Sequence, residues 1–362
     1  MPRMRLSRVV SAFACLLAAA ALVAGCGGGS GPSTPSSSGT AENRPAPPKS
    51  EFPSAKGKTL ADVLNSADGP SGLVVSPAAM VFYRGENRYP FGVFQRDRTQ
   101  VSDAQVALYF AKVPPASKGN KPQSAKSQGK GAVPAAEAKA LSQQAVGPFP
   151  AAVESLATKP AFRARTTAQD PNAATVVYAT NVDFPSDGEW RIAALIEQGG
   201  KTTATLLPSA VVGEFTKIPR VGQQAPSIHT PTAASAGGDL SKITTRIPPD
   251  TQNRVDYAGV LGKEPIVLLF ATPQFCQSRV CGPVVDVAEQ VKHLYGDRAA
   301  FIHMEIYKDN EPPKTRSQVQ AFHLPTEPWL FVIDRQGTIH SVIEGAFGVD
   351  QLTQAVKGAI GK

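Results

Sequence analysis

Thiols are scarce in this chain. It has four cysteines in 362 residues, and no two of them stand in a C-x-x-C pair. That leaves few routes to a metal centre or a cross-linked scaffold, since both need clustered ligands or several paired sulfurs. Beyond the first 25 residues no apolar run approaches the roughly 20 residues that span a bilayer. Charge is sparse too. Only 18% of residues are Asp, Glu, Lys or Arg, and the net of +8 sits in two places. Arg3, Arg5 and Arg8 carry part of it, and the stretch from Lys112 to Lys139, with six lysines and one glutamate, carries the rest. What remains is near neutral. This argues against a nucleic-acid-binding face, which needs Arg and Lys clustered on a folded surface.

What is present begins with a leader. Three arginines precede an apolar run from Val9 to Ala24, too short to span a membrane and followed by small residues, as in a secretory signal. The run ends in "LVAGC", which resembles the bacterial lipobox; the resemblance implies removal of residues 1–25 and lipidation of Cys26. An ordinary signal peptide or an uncleaved anchor is the alternative. Either way the expected location is extracytoplasmic, on the outer face of the cytoplasmic membrane or elsewhere in the cell envelope. Residues 26–55, rich in Gly, Ser and Pro, read as a disordered tether. With Cys15 in the leader and Cys26 acylated, Cys276 and Cys281 are the only thiols left, in a compartment where disulfides persist.

Residues 56–215 show short apolar strands divided by turn residues. "VSDAQVALYFAKV" puts Val106, Leu108 and Phe110 on one face, and "ATVVYATNVDF", "RIAALIEQ" and "TTATLLPSAVVGEF" follow, separated by Gly-containing turns. The spacing suggests an antiparallel sandwich and resembles the Ig-like domains of bacterial envelope proteins. The Lys-rich stretch, taken as 112–150, is expected to be a disordered loop leaving that sandwich. Asp183, Asp187 and Glu189 flank a turn and read as solvated. The unit has no catalytic spacing and is expected to be a spacer or a partner-binding module.

Residues 216–250 read as a linker, and from 251 the pattern becomes α/β. Apolar runs "PIVLLFA", "AAFIHMEIY" and "PWLFVID" alternate with "PVVDVAEQVKHLYG" and "TRSQVQAFH", and "TIHSVIEG" and "DQLTQAVKGAI" close the chain. Val284, Val287, Val291 and Leu294 have helical spacing, and Gly296 ends the run. The order is β-α-β-α-β-β-α. "FATPQFC…CGPVV" and "TEPWLFVIDRQG" resemble the active-site and cis-proline segments of TlpA/ResA-type thioredoxins, over the last 110 residues or so. The resemblance implies that Pro328 is a cis-proline facing the cysteines, with Glu327 and Thr326 beside it. The expected fold class is multidomain: an all-β Ig-like sandwich, then an α/β thioredoxin-like domain.

The cysteines depart from that family. Four residues separate Cys276 from Cys281, and five helical steps advance about 7.5 Å, beyond the roughly 4.4–6.8 Å of Cα separation that a disulfide tolerates. The pair closes only if the chain turns back before the helix begins. "CGP" suggests that it begins at Cys281, with Pro283 in the first turn, where its missing N–H is not needed. Cys281 then faces a partial positive charge that favours a thiolate, and Arg279 adds to it. The spacing does not decide which sulfur is the nucleophile.

Three functions are compatible with the pair. A thiol–disulfide oxidoreductase would exchange with protein thiols or disulfides of the envelope, and needs a reachable, acidic Cys281. A binding or assembly module would keep the disulfide as an inert, buried staple. A soft-metal site like that of the Sco-type copper chaperones would join Cys276 and Cys281 to a distant histidine, His323 being nearest by position. The Sco-type histidine falls closer to the place of "TEP", which counts against copper, and no cofactor is the expectation. His229, His293, His303 and His340 read as packing or surface residues. The Thr-x-x-Cys signature of peroxiredoxins is missing around Cys276, although Thr272 lies four residues upstream.

Overall fold

The computed structural model describes residues 42–115, 139–276 and 278–361. The leader, Cys26 with its expected lipidation, and most of the Lys-rich stretch (116–138) lie outside the described residues.

Nine strands build the first half. They are β1 (Gly69–Pro70), β2 (Val74–Pro77), β3 (Gly85–Phe94), β4 (Gln105–Lys112), β5 (Val146–Pro150), β6 (Ala152–Ser155), β7 (Val176–Phe184), β8 (Gly188–Gln198) and β9 (Lys201–Val212). They form two sheets, ordered β1-β9-β8-β4-β5 and β2-β3-β7-β6. Val106, Leu108 and Phe110 of β4 point into the core between the sheets, where Tyr89, Phe91, Phe184 and Trp190 meet them. The β8–β9 hairpin turns on Gly199 and Gly200, both at positive φ (60° and 73°), as a two-residue turn matching strand twist requires.

Two features differ from the sequence reading. Strand β4 is buried on both faces: Ala107, Tyr109 and Ala111 pack outward against Phe52, Ala55, Leu60 and Val63. Residues 42–55, read as the end of the tether, therefore lie on the sandwich. Arg44 pairs with Val153 by two backbone hydrogen bonds (2.8 and 2.9 Å), and Phe52 and Ala55 are buried because the outer face of β4 is apolar. Strand β5 also emerges from the stretch read as loop, despite Pro148 and Pro150, because it is an edge strand pairing on one side only.

The second half has a four-stranded sheet ordered β11-β10-β12-β13, from β10 (Ile266–Ala271), β11 (Ala300–Glu305), β12 (Trp329–Ile333) and β13 (Ile339–Glu344). β10 and β11 are parallel, and β12 and β13 run antiparallel to their neighbours. Helices Cys281–Tyr295 and Val349–Ile360 pack together on one face, and the short helix Ser317–Ala321 follows β11. This is a thioredoxin-like arrangement. β10, β11 and β12 are buried along their whole length; β10 and β12 are wholly apolar, as strands under helices usually are, and β11 carries His303 and Glu305. On the long helix Val284, Val287 and Val291 are buried as their spacing predicts. Leu294 is 58% exposed, because the apolar face runs from Val291 to Tyr295, four residues on, and Leu294 falls beside it.

Residues 216–250, read as a linker, are packed along this half. Ile218 and Ile243 are buried, and Thr244, Thr245, Arg246 and Asp250 enter a buried polar network. The described residues form one compact unit. The outer face of the β2-β3-β7-β6 sheet supplies Val177, and the β6–β7 connection supplies Leu156 and Ala174, to the cluster holding Cys276, Cys281 and Phe347. Among the described residues no helix is long and apolar enough to cross a membrane.

Candidate functional site

Strand register places the site. Phe270 pairs with Trp329, Ala271 with Glu305, and Trp329 with Glu344. The cysteine-bearing chain leaving β10, Pro328 entering β12, Glu305 ending β11 and Gly345 leaving β13 thus meet at one end of the sheet.

Cys276 and Cys281 form a disulfide with a Cα separation of 5.9 Å, inside the range that the bond tolerates. The chain turns back as the spacing demands. Arg279 sits at φ 61°, and its N–H donates to the Cys276 carbonyl at 3.4 Å. A side chain in this left-handed region raises the energy by about 1–2 kcal/mol, so the surroundings must hold the turn. The helix begins at Cys281, which has no side-chain cap before it, and Pro283 occupies the first turn. The Cys281 sulfur therefore lies at a helix N-terminus with free backbone donors. Cys276 Sγ and Ser278 Oγ are 3.2 Å apart.

Both cysteines are buried: Cys276 is 5% exposed and Cys281 not at all. A reachable Cys281 was the expectation for an oxidoreductase, and buried sulfurs the expectation for a staple. The closed structure has the second property. Arg279 is turned away from the pair, with its guanidinium on Asp170 at 3.2 Å. The Glu327–Pro328 peptide is cis. The Thr326 hydroxyl accepts from Trp329 Nε1 at 2.9 Å and donates to Glu344 at 2.7 Å. Burial and the neighbouring Glu305 push the Glu327 carboxyl above the usual range.

His323 is exposed, past the end of the Ser317–Ala321 helix at φ 54°. Among the described residues no three His, Cys, Asp or Glu side chains group as metal ligands, so His323 is not brought to the cysteines.

Sequence reasoning missed several groups. Glu344 is half-buried, and its carboxylate accepts from the backbone N–H of Met80 and Val81, both at 3.0 Å, tying the sandwich to this end of the sheet. Burial pushes it up to about 7, against the pull of those donors. Glu305 is fully buried and accepts from the Thr245 N–H and hydroxyl, both at 2.8 Å. Asp286, on the helix after Cys281, pairs with Arg246 at 2.9 Å, and burial raises its carboxyl although Arg246 opposes the shift. His303 is buried against Asp250 at 2.8 Å. Burial disfavours its charge, but Asp250 prevails and holds the imidazole above its ordinary value. The available signal was a charged residue inside an apolar strand or helix run, as in "FIHME" and "VVDVA".

No protein-family model matches the chain, and no curated protein does. Solved structures do. A thioredoxin-family thiol:disulfide interchange protein from Chlorobium tepidum TLS is 19% identical over 39% of this chain and 97% of its own, with a TM-score of 0.28. A putative thiol:disulfide interchange protein DsbE from Chlorobium tepidum is 16% identical over 39% and 99%, at 0.29. A DsbF homologue from Corynebacterium diphtheriae is 18% identical over 40% and 94%, at 0.28. These likenesses concern two fifths of the chain, and the fold assignment rests on the strand order and register above.

Proposed function

We propose that this chain is an extracytoplasmic thiol–disulfide exchange protein, held at the membrane by lipid on Cys26 and acting on protein thiols or disulfides. The observation that carries the reading is the placement of the Cys276–Cys281 disulfide. It joins the chain leaving the central strand β10 to the first residue of a 15-residue helix.

The chemistry follows from that placement. A partner thiolate attacks Cys276, the less buried of the two cysteines. The S–S bond breaks and its electron pair leaves on Cys281, whose thiolate the helix N-terminus stabilises. A second partner thiolate then attacks the mixed disulfide and releases Cys276. The chain gains two electrons as a dithiol and the partner becomes a disulfide; the reverse sequence oxidises a partner. Pro328 borders the partner's segment in this reading, Thr326 and Glu327 flank it, and Arg279 acts through the backbone turn between the cysteines, its guanidinium being held by Asp170. The sandwich, read as Ig-like, acts as spacer and docking module.

Burial of both sulfurs favours a second reading, an inert staple in a binding module. Trapping separates the two. Cys281→Ser should leave Cys276 joined to envelope proteins as mixed disulfides, and the reduction potential should lie above the roughly −300 mV below which structural disulfides fall. A potential far below that value with nothing trapped would establish the staple. Mass spectrometry of the membrane fraction should find lipid on Cys26; an unmodified N-terminus elsewhere would remove the anchor.

A further inference from the structure

The disulfide is covered by something specific. Between β6 and β7 the chain makes an excursion, residues 156–175, whose base is closed by the Leu156 N–H on the Thr175 carbonyl at 2.9 Å. The excursion leaves the sandwich and runs across the cysteine loop and the start of the long helix. The Ala174 N–H donates to the Arg279 carbonyl at 3.1 Å, inside the ring that the disulfide closes. Asp170 takes the Arg279 guanidinium. Thr167 stands so close over Gly282 that a Cβ there would lie 2.9 Å from its hydroxyl oxygen. Further along, the Ala164 N–H donates to Asp286 at 3.1 Å, and Arg246 donates to the Phe162 carbonyl at 2.7 Å.

These contacts are mostly polar, and the segment buries little of its own. Leu156, Ala164, Thr167 and Ala174 are its buried residues, whereas Ala157, Lys159, Arg163, Arg165, Ala168 and Gln169 are exposed. A segment with few buried apolar contacts opens at a small fraction of the global unfolding free energy. A cavity of about 460 Å³ flanks it toward β2 and β3, with Asn172, Ala174, Arg279 and Val280 in its wall, so the segment has open space on that side.

From these contacts we infer that residues 156–175 are a lid on the Cys276–Cys281 pair, and that lid opening sets the access of a partner thiol. The inference rests on reading the pair as an exchange site. It explains how a pair placed for exchange is sealed in the closed structure. It also couples the lid to redox state. The carbonyl that anchors the lid belongs to Arg279, whose left-handed turn is held inside the disulfide ring. When two electrons from a dithiol reductant break the ring, that turn is free to relax and the lid loses its anchor. By linkage, whatever loosens the lid must favour the reduced form to the same extent.

The test uses the full chain. Ala174→Pro removes the N–H that meets Arg279; a hydrogen bond worth about 1.4 kcal/mol corresponds to about tenfold in open population. Reduction by dithiothreitol should therefore be about tenfold faster than in the parent. Asp170→Ala, which breaks a half-exposed ion pair, should give a smaller acceleration, about two- to threefold. Trypsin supplies a second readout that tolerates failure of the proline variant to fold. Cleavage after Arg163 and Arg165 should be accelerated in the Cys276→Ser/Cys281→Ser double variant relative to the disulfide form by more than cleavage at sites outside 156–175, which follows global unfolding. Equal reduction rates in Asp170→Ala and parent, together with equal cleavage in the two redox forms, would overturn the lid. Failure of the exchange reading looks different: lid variants would be reduced quickly by dithiothreitol yet transfer no electrons to insulin disulfides.

Discussion

The sandwich core and the site end of the thioredoxin-like sheet are both buried, and they are filled in opposite ways. Between the sandwich sheets Phe82, Tyr89, Phe110, Phe184 and Trp190 pack ring on ring, stacked, tilted or edge to face, with no ionised group among them. In the second half the buried set includes Arg246, Asp250, Asp286, His303 and Glu305, with Glu344 half-buried beside them. An apolar core stabilises in proportion to the area it removes from water. Buried ionised groups do not, because desolvation consumes most of what their pairing returns. Charges retained at one end of one sheet therefore mark where geometry matters more than stability.

The comparison breaks most visibly at the Arg246–Asp286 pair, 6% and 1% exposed. Asp286→Ala strands the guanidinium and should lower stability in urea by about 3–5 kcal/mol. It should also accelerate dithiothreitol reduction, since the Ala164 N–H loses its acceptor. Phe110→Ala should lose a similar amount, about 3–5 kcal/mol, through a cavity. Its reduction rate should stay at the parent's value. If Phe110→Ala changed the rate as much as Asp286→Ala, the two regions would not be separable.

A smaller effect is a pH dependence that the aromatic core lacks. Glu344 has a folded value near 7, above the 4.5 of the free side chain. Between those values the folded state binds a proton that the unfolded state has released. Stability from this group is full below pH 4.5 and falls as pH rises to 7, by about 3 kcal/mol at the limit. Glu344→Gln should flatten the urea midpoint over that window; an unchanged slope would show that Glu344 is not its source. The smallest expected effect is at Leu294, whose exposed side chain should accept Gln within about 0.5 kcal/mol.

Legibility followed the same division. β10 and β12 were readable because each is an unbroken apolar run, β11 because His303 and Glu305 are its only interruptions, and β8–β9 because Gly199-Gly200 punctuates them. The requirement that the chain reverse between Cys276 and Cys281 was also readable, from helix rise alone. What escaped depended on partners remote in sequence. Ala107 and Ala111 gave no sign that β4 has a second buried face, and "VGPFP" hid β5 behind its prolines. Glu344 at a strand end reads as solvated until Met80 and Val81 are seen to donate to it. The segment 156–175 has no pattern of its own, and its role exists only in what it covers.

The Arg44–Val153 pairing has a mechanical consequence. The chain enters the described structure beside β6: Arg44 and Val153 exchange two backbone hydrogen bonds, and the Asn43 side chain accepts from the Ser155 N–H at 2.6 Å. Tension arriving along the N-terminal segment would load β6 first, one residue before Leu156 begins the covering excursion. A pull at one end of the molecule and the cover over its sulfurs thus share a single short strand.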